Sequence, residues 1–263
     1  MRGIMRKLLK YIAPKAFNDG LARCNALGKR LVGGREYPRF LDVGCGDGVM
    51  TMEFAAAAGA EEVWGVEFVD TLAVEAGKRG IHCIRQDVNA PWDLPVDHFD
   101  LILSSQNIEH VHNTRLYLEE CHRCLRPGGR LVVLTENLAS WVNIGALVFG
   151  WQPFSTTNIN GWSAGNPLIW HAGEPRDEAF FAAWQKTGVS GTVGHVRVLA
   201  YRGLRDLMVR VGFSEVRIRT KGWLPLWGRL SDMLCAVDRR HGHFLIGTGV
   251  KSSRGSDRTS AEG

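Results

Sequence analysis

At 263 residues, 45% of them hydrophobic, the chain is long enough to bury a substantial core and suits one large α/β domain or a domain with an insertion. Its net charge of +5 raises an anionic partner as an option, but lysines and arginines form no block of five, and an ordinary solvated surface is the simpler reading. No stretch has the uninterrupted apolar length of a membrane span, and the six cysteines, at 24, 45, 83, 121, 124 and 235, lack the dense spacing of a secreted disulfide scaffold, so reduced thiols in a cytoplasmic protein are expected.

The chain opens with a basic, apolar segment, "MRGIMRKLLKYIAPKAF", whose Ile4, Leu8, Leu9 and Ile12 recur at helical spacing. Arg6, Lys7 and Lys10 interrupt it, so it lacks the core of a signal peptide. Residues 1–37 therefore read as a helical segment that either rests on an anionic membrane surface or, preferably, folds back over the ligand site.

From residue 39 short β-rich runs alternate with helical ones, the signature of βαβ units and a parallel sheet. Strands are predicted at 39–43, 62–68, 81–87, 99–105 and 130–136, with helices at 50–59, 70–80 and 114–125, the last stopped by "RPGG". Residues 137–195 break the pattern: rich in Trp, Gly, Asn and Pro, they read as a lid or binding insertion. A helix at 202–212 and strands at 213–220 and 243–251 follow, the two strands flanking a Trp- and Leu-rich loop; the polar tail 252–263 reads as disordered.

Acids stand at the ends of the first three strands: Asp42, Glu67 and Asp87. In an open parallel sheet the ligand crevice lies at that edge. Gly44, Gly46 and Gly48 allow a tight turn there and bring backbone N–H groups close to a ligand. A dinucleotide oxidoreductase is the nearest competitor, but its fingerprint is G-x-G-x-x-G, and Asp47 would set a negative charge against a pyrophosphate. An adenosine ligand with a positive centre, an amino-acid tail and no phosphate fits better, which describes S-adenosylmethionine.

"LDVGCGDG", "VWGVEF", "IRQDVNAPWDLPVDHFDLILSSQNIEHV" and "CLRPGGRLVVLTEN" together resemble class I S-adenosylmethionine-dependent methyltransferases of the type 11 group, closely over 38–137 and loosely over 195–251. The resemblance implies a Rossmann-like seven-stranded sheet with helices on both faces, a methyltransferase domain over 38–251, and the insertion as substrate lid. It places Asp42, Gly44, Cys45 and Gly46 around the methionine part, Glu67 and Phe68 at the ribose, and Asp87 and Val88 at the adenine. Ser104, Ser105 and Gln106 would line the site near the ammonium and the transferring methyl. "ENLASWVNIGALVFGWQPFST" and "GHVRVLAYRGL" are similar to methyltransferases of surface-polysaccharide and glycolipid assembly.

A hydroxyl acceptor needs a base. Candidates are Glu109, His110, His112, His171 and His195, with His110 ranked first and His195 second. "CHRC" invites a zinc reading, but in the matching helix these places face the sheet, where small thiols pack, and no metal is expected: a metal-dependent enzyme would need carboxylates after strands four and five, where only Glu136 and Asn137 stand out. Trp141, Trp151, Trp162, Trp170 and Trp184 in the insertion, with Trp223 and Trp227 in the later loop, offer faces to sugar or aromatic rings or form a small core of the lid. The function expected is O-methylation of a small-molecule, saccharide or glycolipid acceptor. A nucleic-acid methyltransferase and an inactive binding or scaffold protein are the alternatives; nucleic acid is disfavoured because "SSQN" stands where an Asn/Asp-Pro-Pro-aromatic signature is expected. The sequence leaves oligomeric state open.

Overall fold

The computed structural model describes residues 2–159, 162–168 and 194–252, of which 2–11, 158–159 and 162–163 are described by backbone alone. Trp170, His171 and Trp184, and the tail beyond 252, lie outside these residues.

After a long helix α1 (Arg2–Val32) come β1 (Arg39–Val43), α2 (Val49–Ala58), β2 (Glu62–Val66), α3 (Asp70–Lys78), β3 (His82–Ile84), β4 (Phe99–Ser105), α4 (Thr114–Cys124) and β5 (Leu125–Glu136). The insertion holds α5 (Trp141–Val148) and a short hairpin, β6 (Asn158–Ile159) with β7 (Trp162–Ser163). Then follow α6 (Tyr201–Val211), β8 (Phe213–Lys221), α7 (Gly228–Val237) and β9 (Phe244–Lys251). The seven-stranded sheet has the order β3-β2-β1-β4-β5-β9-β8, parallel as far as β5, with β9 antiparallel to both its neighbours. Strand order reverses between β1 and β4, which opens a crevice beyond their carboxyl ends.

Alternation along the central strands sorts the core into two layers. Leu41, Val43, Ile102, Leu131, Val133 and Leu245 meet α4 and α6 on one face. Phe40, Leu101, Leu103, Val132, Leu134, Phe244 and Ile246 meet α1 and α2 on the other. Both faces are covered, which is why these strands read as near-continuous apolar runs. On α4, Tyr117, Cys121 and Cys124 fall at i, i+4 and i+7, and all three are fully buried; the two thiols pack on the sheet. All six cysteines are free.

The described part of the N-terminal helix packs on the domain, with Ala13 and Ala16 against Ala146, Phe154 and Leu224. Its described side chains cover a sheet face: Cys24, Leu27 and Val32 join Phe40, Phe54 and Phe244, and Gly20 lies where a Cβ would come within 3.0 Å of the Gly222 Cα. No helix among the described residues is long and apolar enough to cross a membrane.

Other boundaries moved for local reasons. β5 begins at Leu125 because four residues, 126–129, bulge out opposite the single Asp100 before pairing resumes at Arg130 with Leu101, so "RPGG" ends the helix without ending the strand. β3 has three residues instead of seven, and β2 stops at Val66, leaving Glu67 just past the strand end. Two helices sit in stretches read as irregular. α5 is apolar nearly all round, so its sequence shows no period. In α7 the pattern is inverted: Ser231 and Cys235 face inward while Leu230, Met233 and Val237 are exposed.

Candidate active site at the carboxyl edge of the sheet

The turn after β1 is stitched to β2 by two bonds, the N–H groups of Gly44 and Cys45 both donating to the Val66 carbonyl at 2.8 and 3.0 Å. Its glycines do different things. Gly44, at φ +85°, has no room for a Cβ, which would lie 2.6 Å from Cγ of Asn107. Gly48, also at φ +85°, would strike Ile81. Gly46, at φ +56°, has nothing within 4 Å of where its Cβ would be, so a ligand can approach its bare backbone there.

Glu67 is the brace of this turn. One carboxylate oxygen accepts from the Gly46 N–H at 2.9 Å and the other from the Val69 N–H at 2.8 Å, so the acid closes the glycine turn onto the start of α3 and stays half-buried beside it. Asp42 is 2% exposed; its Oδ2 accepts the Thr51 hydroxyl at 2.6 Å, and its Oδ1 has no hydrogen-bond partner. Burial, opposed by the Thr51 bond and helped by the Glu67 charge, pushes its carboxyl up to about 7. The unfolded carboxyl, near 3.8, ionises first as pH rises, so this group subtracts stability progressively from about pH 4 to 7 and by a constant amount above that. Asp42→Asn is therefore expected to gain stability relative to the parent across that window, by about 1–4 kcal/mol at its top, in urea melts at several pH values. A difference that does not change with pH would refute the assignment.

The remaining expected cofactor residues divide. Cys45 is buried against Cys83, with sulfurs 3.7 Å apart. Phe68 is half-buried, with the Arg85 guanidinium 6.0 Å above its ring. Asp87 is exposed and lies past the end of β3; its Oδ1 accepts both the backbone and side-chain N–H of Asn89 at 2.9 Å. Val88 packs against the core. Ser105 and Gln106 are half-buried at the strand end, Gln106 at φ +50° with a buried Nε2 that has no partner.

Ser104, the other expected residue of this strand end, faces inward. It is fully buried and its Oγ accepts from the Tyr117 hydroxyl at 2.8 Å. Alternation put it on the inner face with Ile102. Asn107, absent from the expected residues, ties the site together: its Nδ2 donates to the Val43 carbonyl at 3.0 Å and to the Tyr117 hydroxyl at 3.1 Å.

Beyond β4 and β5 a second group forms. His110 and His195, far apart in sequence, come together with ring centroids 4.8 Å apart. Between them and the sheet lies Glu109, fully buried, one oxygen accepting the Thr135 hydroxyl at 2.8 Å. Its backbone carbonyl accepts from Val196 and Arg197, which pins the return of the insertion to the site. Glu136, at the end of β5 and 2% exposed, has an oxygen 3.8 Å from His195 Nδ1 and 3.6 Å from Nε2 of the buried His243. Burial, and then the neighbouring His195, pushes His110 down to about 4, so its ring is neutral at pH 7. Glu109 is pushed up to about 7 by burial. His112 is exposed and outside the group. Glu109, His110 and His195 each offer a ligand atom within 4.8 Å of the others and could hold a metal ion. The sequence reading named Glu109 as a candidate base and Glu136 as a carboxylate after strand five, but it did not bring the two together and did not name His243.

Among the described residues the tryptophans do not gather into one cluster. Trp141 packs on His241 and tilts against Trp223, with its Nε1 donating to Asp238 at 2.8 Å, while Trp151 packs on Phe149.

Residues 41–133 match the family model described as a methyltransferase domain. Similar curated proteins include ubiquinone biosynthesis O-methyltransferases from Parvibaculum lavamentivorans, 32% identical over 129 residues, and Maricaulis maris, 32% identical over 132. Each alignment covers 45% of this chain and 50% of the relative, so the chain spans about half the length of the curated relatives it matches. Solved structures of S-adenosylmethionine-dependent methyltransferases share the fold. One from Thermotoga maritima has a TM-score of 0.55 at 18% identity, covering 93% of this chain and 100% of the other. One from Mesorhizobium loti has 0.54 at 21%, covering 86% and 97%.

Proposed function

We propose that this chain, which has the fold of S-adenosylmethionine-dependent methyltransferases, is such an enzyme and methylates an oxygen of a small-molecule acceptor. The observation that carries the reading is the open turn at Gly46, set at the reversal of strand order between the carboxylates of Asp42 and Glu67. The residues present fit the cofactor: a backbone with no Cβ in the way, a half-buried acid for the ribose hydroxyls, and the partnerless Oδ1 of a buried Asp42 for a positive group. When bound, S-adenosylmethionine supplies an electrophilic methyl group.

The protein's own work is to bind, align and dehydrate. Glu67 holds the ribose while bracing the turn. Asp42 faces the positive end and gives up its proton to solvent as that charge arrives, and Gln106 presents its amide beside it. Phe68, Asp87 and Val88 frame the adenine. On the other side of the crevice His110 and His195 handle the acceptor hydroxyl. Oxygen as the acceptor atom is supported by the names of the curated relatives. A saccharide or glycolipid headgroup is the finer version: the half-exposed faces of Trp141 and Trp227, 45% and 37% exposed, suit a sugar or aromatic ring. A nucleic-acid acceptor is the second reading, favoured by the groove along the edge strand β8, where Arg205, Arg217, Arg219 and Arg239 converge.

Calorimetry with S-adenosylmethionine and S-adenosylhomocysteine tests the cofactor; micromolar binding is expected, and no heat with either ligand would remove the reading. Labelled methyl transfer into lipid, glycan, small-molecule and RNA fractions of a cell extract tests the acceptor. Label confined to RNA would replace the first reading with the second.

A further inference from the structure

The histidines at the acceptor side have an arrangement that a general base does not require. Nδ1 of His195 lies 2.6 Å from the Ser155 carbonyl and Nδ1 of His110 lies 3.3 Å from the Gly194 carbonyl. A carbonyl only accepts, so in both rings Nδ1 carries the proton and Nε2 keeps a lone pair. That is how ligand histidines are held: the far nitrogen donates to a backbone carbonyl, fixing tautomer and ring direction. Glu109 shows the same division of labour, with Oε2 held by Thr135 and Oε1 fully buried without a hydrogen-bond partner. A buried carboxylate oxygen with nothing to bind is costly, and a cation in this position supplies what it lacks.

We propose that Glu109, His110 and His195 form a site for one divalent transition-metal ion of the zinc or cobalt type. Two imidazoles and one carboxylate favour such a borderline ion over magnesium or calcium, which take oxygen sets. Three protein ligands leave coordination positions open, as in catalytic sites. Resting on the methyltransferase reading, the site's role is to take the acceptor's hydroxyl oxygen as a further ligand; the cation stabilises the oxyanion, and the hydroxyl proton passes to solvent. Thr135, Ser155 and Gly194 then act as positioning groups around the ligands, and Glu136 adds a second negative charge behind His195.

Metal-stripped full-length protein is titrated with zinc by calorimetry and with cobalt by visible absorption, and the same preparation is titrated with S-adenosylhomocysteine. One equivalent of cobalt is expected, with a d–d band of low-symmetry, four- or five-coordinate intensity. Glu109→Gln and His195→Ala are each expected to weaken the metal by at least 100-fold and Thr135→Val by about 10–100-fold, whereas the exposed His112→Ala leaves it unchanged. Should Glu109→Gln fail to fold, His195→Ala carries the test, since that ring enters from the insertion. Absence of a stoichiometric metal in the parent protein, or metal binding indifferent to His195→Ala, overturns the proposal. Retained S-adenosylhomocysteine binding in that case leaves the methyltransferase reading standing, and metal binding without it leaves the metal site standing alone.

Discussion

Glu67→Ala is expected to lose affinity for S-adenosylhomocysteine by about 100-fold or more in calorimetry, and Asp87→Ala by roughly tenfold or less. The asymmetry comes from what each acid already does. Glu67 accepts two backbone N–H groups, from Gly46 and Val69, as charge-assisted bonds worth about 1.5–3 kcal/mol apiece. Removing it deletes the proposed ribose acceptor and also frees the turn that presents the bare backbone of Gly46, so ligand binding must then meet the cost of ordering the turn. Asp87 is exposed, and one of its oxygens is already engaged by Asn89, so its contribution is screened and partly committed to holding a local turn. Glu67→Gln, with a single oxygen, falls between the two. Glu67→Ala binding within threefold of the parent would show that the crevice is not the ligand site.

The second large effect separates two glycines of one turn. Gly44→Ala is expected to cost about 2–5 kcal/mol of stability, combining a left-handed backbone at about 1–2 kcal/mol with overpacking at about 1–3 kcal/mol. The clash has no easy relief: the atom it meets is Cγ of Asn107, whose amide is fixed by Val43 and Tyr117. For a chain of this length that corresponds to a fall in Tm of about 10 °C. Gly46→Ala carries only the backbone cost, about 1–2 kcal/mol, because its Cβ meets open space. It is expected to stay folded and to lose the ligand, since the added methyl stands where the ligand approaches. Equal melting temperatures for the two variants would contradict the geometry.

These residues also mark what could be read from sequence. The central strands were legible because they are buried on both faces, and the turn was legible because only glycine tolerates its backbone angles. The acids were legible by their place at the ends of strands. The inward turn of Ser104 toward Tyr117 was legible too, from period-2 alternation with Ile102. α7 was hidden because its apolar residues face outward, the reverse of the usual signal. The gathering of Glu109, His110, Glu136, His195 and His243 could not be read at all, because it depends on strand order and on where the insertion returns. Spacing along the chain carries no trace of the two backbone N–H groups, Val196 and Arg197, that fix that return onto Glu109.

β9, the last strand of the sheet to be made, lies between β5 and β8 and brings the fully buried Phe244, Leu245 and Ile246 to both layers. A nascent chain leaving the ribosome thus holds β5 with one flank unpaired while roughly a hundred further residues are translated, an interval of about 5–20 s at ~5–20 residues per second. During that wait the exposed flank is a template for a neighbouring chain, so slowed translation through the insertion would prolong the vulnerable period and the yield of native protein would depend on chaperone cover.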